Sequence, residues 1–230
     1  MNLKRGLDEM VYDLFIDELY NGVFHAGEKI DPAALTESFQ ISRTPVIQAL
    51  KRLASEKILE VSSGVKYFIP VPDEKQIREI CEVRYLFEQY AIEQYLGSGN
   101  HPVLSQLYDM ALECRGKMKS GEELECVKAD LEFHRSLVRL TGNTCLYEAY
   151  IPVLNRFIGI KYAVECWPDQ QIQANDRHIH LMEAIIQNQK EQALRELHQH
   201  IFLSMERIVS AAKMPVSYTH LRAHETEADL

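Results

Sequence analysis

From Asp73 to about Lys213 the sequence repeats apolar residues at helical spacing and contains no stretch that reads as a strand. Ile80, Val83, Phe87 and Ala91 share a face in the first of these helices. Breaks follow at Gly97-Ser98-Gly99-Asn100, Ser120-Gly121, Thr141-Gly142-Asn143 and around Trp167-Pro168-Asp169. About six helices result. Helices without strands can bury their stripes only against one another, so residues 73–213 are expected to form an all-α bundle.

Residues 1–72 differ in kind. Leu7, Met10, Val11, Leu14 and Phe15 predict a first helix with one buried stripe, ending near Asn21-Gly22. Asp31 before Pro32, then Ala33, Ala34, Leu35 and Phe39, predicts a short capped second helix. Ser42 is the expected N-cap of a third helix, with Val46, Ala49, Leu50 and Leu53 inward and Arg43, Thr44, Ile47, Gln48 and Lys51 outward. Two β-prone runs, Ile58 to Val61 and Val65 to Pro70, flank Ser62-Ser63-Gly64 and predict a hairpin. Three helices followed by a hairpin is the winged helix-turn-helix order, whose third helix enters the major groove of DNA. Val71-Pro72-Asp73 is the expected linker. The fold class is therefore mainly α: a winged helix-turn-helix over 1–72, then an all-helical domain over 73–213. Residues 214–230 do not continue the helical stripe and are expected to be a disordered or non-native tail.

Composition narrows the function classes. With 46% hydrophobic and 26% charged residues the chain is of ordinary globular type. Its apolar runs fall far short of the ~20 residues a membrane helix needs, and Asp8 and Glu9 stand where a signal peptide would be apolar. The expected compartment is the cytoplasm, without membrane association. Five cysteines without a Cys-x-x-Cys pair fit neither a disulfide framework nor a zinc ribbon. Net charge is −9, with eight basic against ten acidic residues in 1–72 and 17 against 24 in 73–230. Any nucleic-acid contact must rest on a local cationic surface, since the total is acidic.

Such a surface lies on the third helix. Ile41-Ser42-Arg43-Thr44-Pro45-Val46-Ile47-Gln48-Ala49-Leu50-Lys51-Arg52-Leu53 resembles the recognition-helix signature of the GntR family of bacterial transcription regulators, and Gly22 with Ala26-Gly27-Glu28-Lys29-Ile30 resembles the segment before it. The resemblance implies that Arg43 reads bases and that Thr44 contacts a phosphate or base. Gln48, Lys51, Arg52 and Lys66 complete the expected DNA-contacting set, and Lys57 is a further candidate for phosphate. Two positions depart from the family pattern: Ile47 replaces a usual second arginine, and Lys57 a usual glycine. Loss of a bidentate guanine contact costs about 1–3 kcal/mol of base discrimination, so the operator should differ or be bound less tightly.

The bundle carries a second constellation. Asp130 and His134, four residues apart, share a helix face with Val127, Leu131 and Val138. His178 is in phase with Leu181, Met182 and Ile185, and His200 with Ala193, Leu197 and Ile201. Buried carboxylate and imidazole groups need hydrogen-bond partners or a cation, and the spacing alone leaves a hydrogen-bonded Asp/His pair and a metal site both open. Three imidazoles and a carboxylate suit a divalent transition ion, zinc first, with nickel or manganese as alternatives. His180 and His198 fall about 200° round their helices and read as outward or supporting groups, while His25 and His101 read as loop residues.

Asp130-Leu131-Glu132-Phe133-His134 with Gly142-Asn143, and His178-x3-Met182-x-Ala184-Ile185 with His200-Ile201, look like the FCD ligand-binding domain of the FadR branch of GntR regulators. For its metal-binding members the resemblance implies the ligand set Asp130, His134, His178 and His200. Arg84 and Glu88 match the family's Arg-x3-Glu pattern. Arg84 is the expected fork for an effector carboxylate, its alternative being a salt bridge to Glu88. Arg156 and Asn143 are weaker candidates for the same pocket, and Tyr150 and Tyr162 read as packing residues.

The implied protein is a homodimeric repressor on palindromic double-stranded DNA, controlled by a small organic acid and a divalent metal, and it is not an enzyme. Two alternatives use the same bundle: a metal-dependent enzyme, for which no general base or catalytic motif is evident, and a metal-free ligand sensor.

Overall fold

The computed structural model describes residues 6–62, 66–99, 101–164 and 171–213. The N-terminal part runs α1 (Leu7–Tyr20), β1 (Lys29–Ile30), α2 (Pro32–Phe39), α3 (Arg43–Ser55), β2 (Glu60–Ser62) and β3 (Lys66–Phe68). The strands form an antiparallel sheet in the order β1-β3-β2, with Val61 opposite Tyr67 and Ile30 opposite Tyr67 on the other side. This is a winged helix-turn-helix with one strand more than expected. The turn residues 63–65 lie outside the described residues.

Local chemistry explains these boundaries. Asp31 accepts from the Ala33 N–H at 2.9 Å and Pro32 opens α2. Ser42 is the N-cap of α3, though its side chain makes no capping bond. Val46, Ala49, Leu50 and Leu53 of α3 are buried as expected. At the end of α3 the Ile58 N–H donates to Leu53 at 2.9 Å and the Lys57 N–H to Ala54 at 3.1 Å, the paired bonds of a Schellman cap. Lys57 there has φ of 61°, a left-handed conformation that glycine adopts without steric cost. That accounts for glycine as the usual residue at this position.

The α1 stripe differs from expectation. Val11, Phe15 and Leu19 are buried with Tyr12, whereas Leu7, Met10 and Leu14 are exposed.

Six helices follow among the described residues: α4 (Glu74–Tyr95), α5 (His101–Lys119), α6 (Glu123–Arg139), α7 (Thr144–Val164), α8 (Gln171–Ile186) and α9 (Lys190–Ala212). Asp73 and Gln76 form a reciprocal capping box that starts α4. The breaks at 97–99, 120–121 and 141–143 are as read from sequence, and the one around Trp167 lies outside the described residues, as do residues 214–230. His101 opens α5 instead of lying in a loop. On α4 the buried face is Ile77, Ile80, Cys81, Arg84, Glu88, Ala91, Ile92 and Tyr95, and Val83 is exposed. One apolar cluster joins both parts, from Phe15 and Leu53 through Ile58 to Leu154, Phe157 and Ile201. No helix among the described residues is long and apolar enough to cross a membrane.

Candidate metal centre and DNA-reading head

Helices α6, α8 and α9 each turn a polar residue into the middle of the bundle. Asp130 and His134 come from α6, His178 from α8 and His200 from α9, with the three histidines buried and the Asp130 side chain one-fifth exposed. The Nε2 atoms of His134, His178 and His200 lie 3.1–3.2 Å from one another. Asp130 Oδ1 is 3.5 Å from His178 Nε2 and 3.8 Å from His134 Nε2. All four ligand atoms fall within 4.8 Å. Nitrogens bound at about 2.1 Å to one ion are about 3.0 Å apart at right angles and about 3.4 Å apart at tetrahedral angles, so the observed triangle fits one ion.

Proton placement sets which nitrogens face the centre as lone pairs. His134 Nδ1 lies 3.0 Å from the buried Glu88 carboxylate, which fixes its proton on Nδ1 and leaves Nε2 as a lone pair facing the centre. The Nδ1 atoms of His178 and His200 are buried without a partner. No tautomer of those two rings satisfies every buried nitrogen: a proton on Nδ1 is an orphan donor, and one on Nε2 leaves Nδ1 an orphan acceptor. Burial pushes the His178 imidazole down to about 3 and the His200 imidazole well below its ordinary range, so both rings are neutral, the form that binds metal. Burial alone would raise the Asp130 carboxyl, but the charges around it, the cations Lys161 and Arg84 among them, outweigh burial and hold it below its usual range. The donor set fits a divalent transition ion.

A polar shell behind the ligands was only partly visible in sequence. Arg84 Nε donates to Glu88 Oε1 at 2.6 Å, and the Tyr150 hydroxyl on α7 donates to the same oxygen at 2.7 Å. Burial pushes Glu88 up, but Arg84 and His134 more than offset it, so the carboxylate is ionised far below its ordinary range. Tyr150 is thus part of the site and not a mere packing residue. Spacing pointed to the Arg84–Glu88 pair but gave no sign that Glu88 would reach His134 on another helix.

The effector candidates separate. Arg84 is no free fork: it is buried, tied to Glu88 and stacked over Phe157 at 4.4 Å, with Nη2 left without a partner. Asn143 is exposed and caps α7, accepting from the Leu146 N–H at 3.0 Å, so the structure places it at a helix start and not in the pocket. Arg156 is half-buried, six residues beyond Tyr150, which turns it about 120° from the face that meets Glu88. His180 and His198 are exposed, His198 stacking on Phe202.

At the other end of the molecule Arg43, Thr44, Gln48 and Lys51 are exposed on α3, and Lys66 is exposed on β3. Arg52 is also exposed on α3, but its guanidinium is engaged by its own chain. Its Nε donates to Glu56 at 3.0 Å and its guanidinium lies 4.1 Å over the Tyr12 ring.

Comparison with known proteins places this architecture. The sequence profile of the FCD domain matches residues 79–202, and that of the bacterial regulatory proteins of the gntR family matches residues 7–69. The Nta operon transcriptional regulator of Aminobacter aminovorans is 26% identical over 203 residues, covering 86% of this chain and 93% of that protein. The gluconate operon transcriptional repressor of Bacillus subtilis is 25% identical over 186 residues, covering 79% and 76%. The solved structure of Escherichia coli McbR/YncC shares the fold with a TM-score of 0.75 at 19% identity, covering 90% of this chain and 98% of that one. A putative GntR transcriptional regulator from Rhodococcus sp. RHA1 has a TM-score of 0.73 at 18% identity, covering 89% and 98%. The two sequence relatives are operon regulators, and the matched family is one of transcription regulators and not of enzymes. The chain belongs to the GntR family of bacterial transcription regulators, with an FCD domain behind its winged helix-turn-helix.

Proposed function

We propose that the protein is a dimeric repressor that reads a palindromic operator through α3 and the wing, and whose bundle binds a divalent transition ion and a small carboxylate metabolite. The ion is held by Asp130, His134, His178 and His200, with zinc first among candidates and nickel or manganese as alternatives. The observation that carries this reading is the convergence of three buried Nε2 atoms within 3.2 Å, one of them locked by Glu88. Asp130 and three imidazoles leave coordination positions for a metabolite carboxylate, and the unpartnered Nη2 of Arg84 is a buried donor close to this centre.

Arg43, Thr44, Gln48, Lys51 and Lys66 form the DNA-contacting surface. Two copies are needed to read both half-sites, about 34–36 Å apart. Val83, Leu86 and Tyr90 leave an exposed apolar stripe on α4 that supports self-association. Repression is the role of the gluconate operon transcriptional repressor of Bacillus subtilis, a relative at 25% identity. The division at residues 72 and 73 is supported by the profile boundaries and by the Asp73 capping box. A chromosome-binding regulator works in the bacterial cytoplasm.

The test combines two measurements on purified protein. Metal-stripped protein is titrated with zinc, nickel and manganese against a chromophoric chelator, alongside His178→Ala. Sheared DNA from the source organism is then offered to the loaded protein and the retained fragments are sequenced. One tight ion lost in the variant, with a recovered palindrome, supports the proposal. Absence of tight binding removes the metal, and absence of an enriched sequence at low and physiological salt removes the operator.

A further inference from the structure

Beside the apolar cluster that joins the two parts of the chain, a set of polar groups crosses the same contact in a definite order. Arg135, next in sequence to the metal-ligand candidate His134, donates from Nη2 to Asn155 Oδ1 on α7 at 3.2 Å. Asn155 Nδ2 donates to Glu56 Oε2 at 3.0 Å and lies 3.3 Å from the Tyr12 hydroxyl, which itself donates to Glu56 at 2.6 Å. Glu56, the C-cap of the reading helix, holds Arg52 of that helix. One turn beyond Asn155, α7 packs on the cap at Gly159, where a Cβ would lie 3.4 Å from the Ile58 side chain, at van der Waals contact. A second path reaches α7 through His134, Glu88 and the Tyr150 hydroxyl.

The amide of Asn155 cannot be reversed, because its oxygen faces a guanidinium and its nitrogen a carboxylate. It is 8% exposed, so its partners are not readily replaced by water. Beside it a cavity of about 240 Å³, lined by Tyr12, Ile16, Lys128, Leu131, Arg135 and Asn155 among others, gives these groups room to rearrange. Arg135 Nε is buried without a partner, so the present arrangement leaves one donor unused.

We propose that Arg135, Asn155, Tyr12 and Glu56 form the relay through which occupancy of the metal centre is transmitted to the reading helix, with Arg52 serving as a positioning residue and not as a phosphate contact. The inference rests on the proposed metal-responsive function. An ion held by His134 restrains the turn of α6 that also carries Arg135. Asn155 converts that restraint into a changed hold on the cap of α3, and so into a changed presentation of Arg43 at its other end.

The test uses the full-length protein, zinc as the ion and an operator fragment retained from genomic DNA. Zinc affinity is read by chelator competition, and operator affinity with and without zinc. For the wild type, zinc is expected to change operator affinity about 5–150-fold, and operator DNA to change zinc affinity by the same factor. Asn155→Leu is expected to keep zinc affinity within about twofold while the operator response falls below about twofold. Arg135→Gln, at a half-exposed position, gives the same readout should Asn155→Leu not fold. Arg52→Gln, which removes the charge, is expected to leave the salt dependence of DNA binding unchanged, since no phosphate contact is lost. A full zinc response in both Asn155→Leu and Arg135→Gln overturns the relay alone. A wild type that binds zinc but shows no operator response overturns the metal-responsive reading and the relay with it.

Discussion

Glu88 and His134, 46 residues apart in sequence, meet at 3.0 Å in the centre of the bundle, both fully buried. The carboxylate fixes the ring's tautomer and its orientation, so His134 presents an unprotonated Nε2 before any ion arrives. Glu88→Gln is expected to lower metal affinity about 10–100-fold without removing a ligand, read by chelator competition. Glu88→Ala also leaves Arg84 as an unpaired buried cation and should cost about 3–5 kcal/mol in denaturant unfolding.

Metal removal should be visible in thermal melts. An ion that binds only the folded state stabilises it by about 4 kcal/mol at a thousand times its dissociation constant. Chelation is expected to lower the melting temperature of the wild type and to leave that of His178→Ala unchanged.

Base reading rests on few side chains. Arg43→Ala should lose about 1–3 kcal/mol of preference for the operator over its mutated form, while Lys51→Ala should weaken all sequences alike and reduce the salt slope by about one. Ile47→Arg, which adds a side chain on the half-buried edge of the same helix, is expected to shift sequence preference toward guanine at one position of each half-site. Competition binding against single-base operator variants measures all three.

Lys57 closes the Schellman cap of α3 with φ of 61°. Lys57→Gly should raise unfolding stability by about 0.5–1 kcal/mol, because it removes the Cβ strain of the left-handed region.

Much of this was legible because periodicity marks what is apolar. On α3 the inward residues Val46, Ala49, Leu50 and Leu53 are all apolar and the outward ones nearly all polar, so one phase was available. The phases of His178 and His200 likewise place them inward, as found. The same rule failed on α4, where the buried face contains Arg84 and Glu88 and the apolar Val83 and Leu86 face out. It failed on α1 because Leu7, Met10 and Leu14 form a stripe as regular as that of Val11, Phe15 and Leu19. Only tertiary packing chooses between them. Strand β1 is two residues long, too short for a pattern. The hold of Glu88 on His134 and of Asn155 on Glu56 depends on how distant helices meet, which spacing within one helix does not encode.

The most direct test of the metal centre is elemental analysis of dialysed protein, wild type beside His178→Ala and Asp130→Ala. The account predicts about one divalent transition ion per chain in the wild type and a small fraction of that in both variants. Equal, negligible metal in all three after loading and dialysis would contradict it, leaving the four side chains as a hydrogen-bonded cluster.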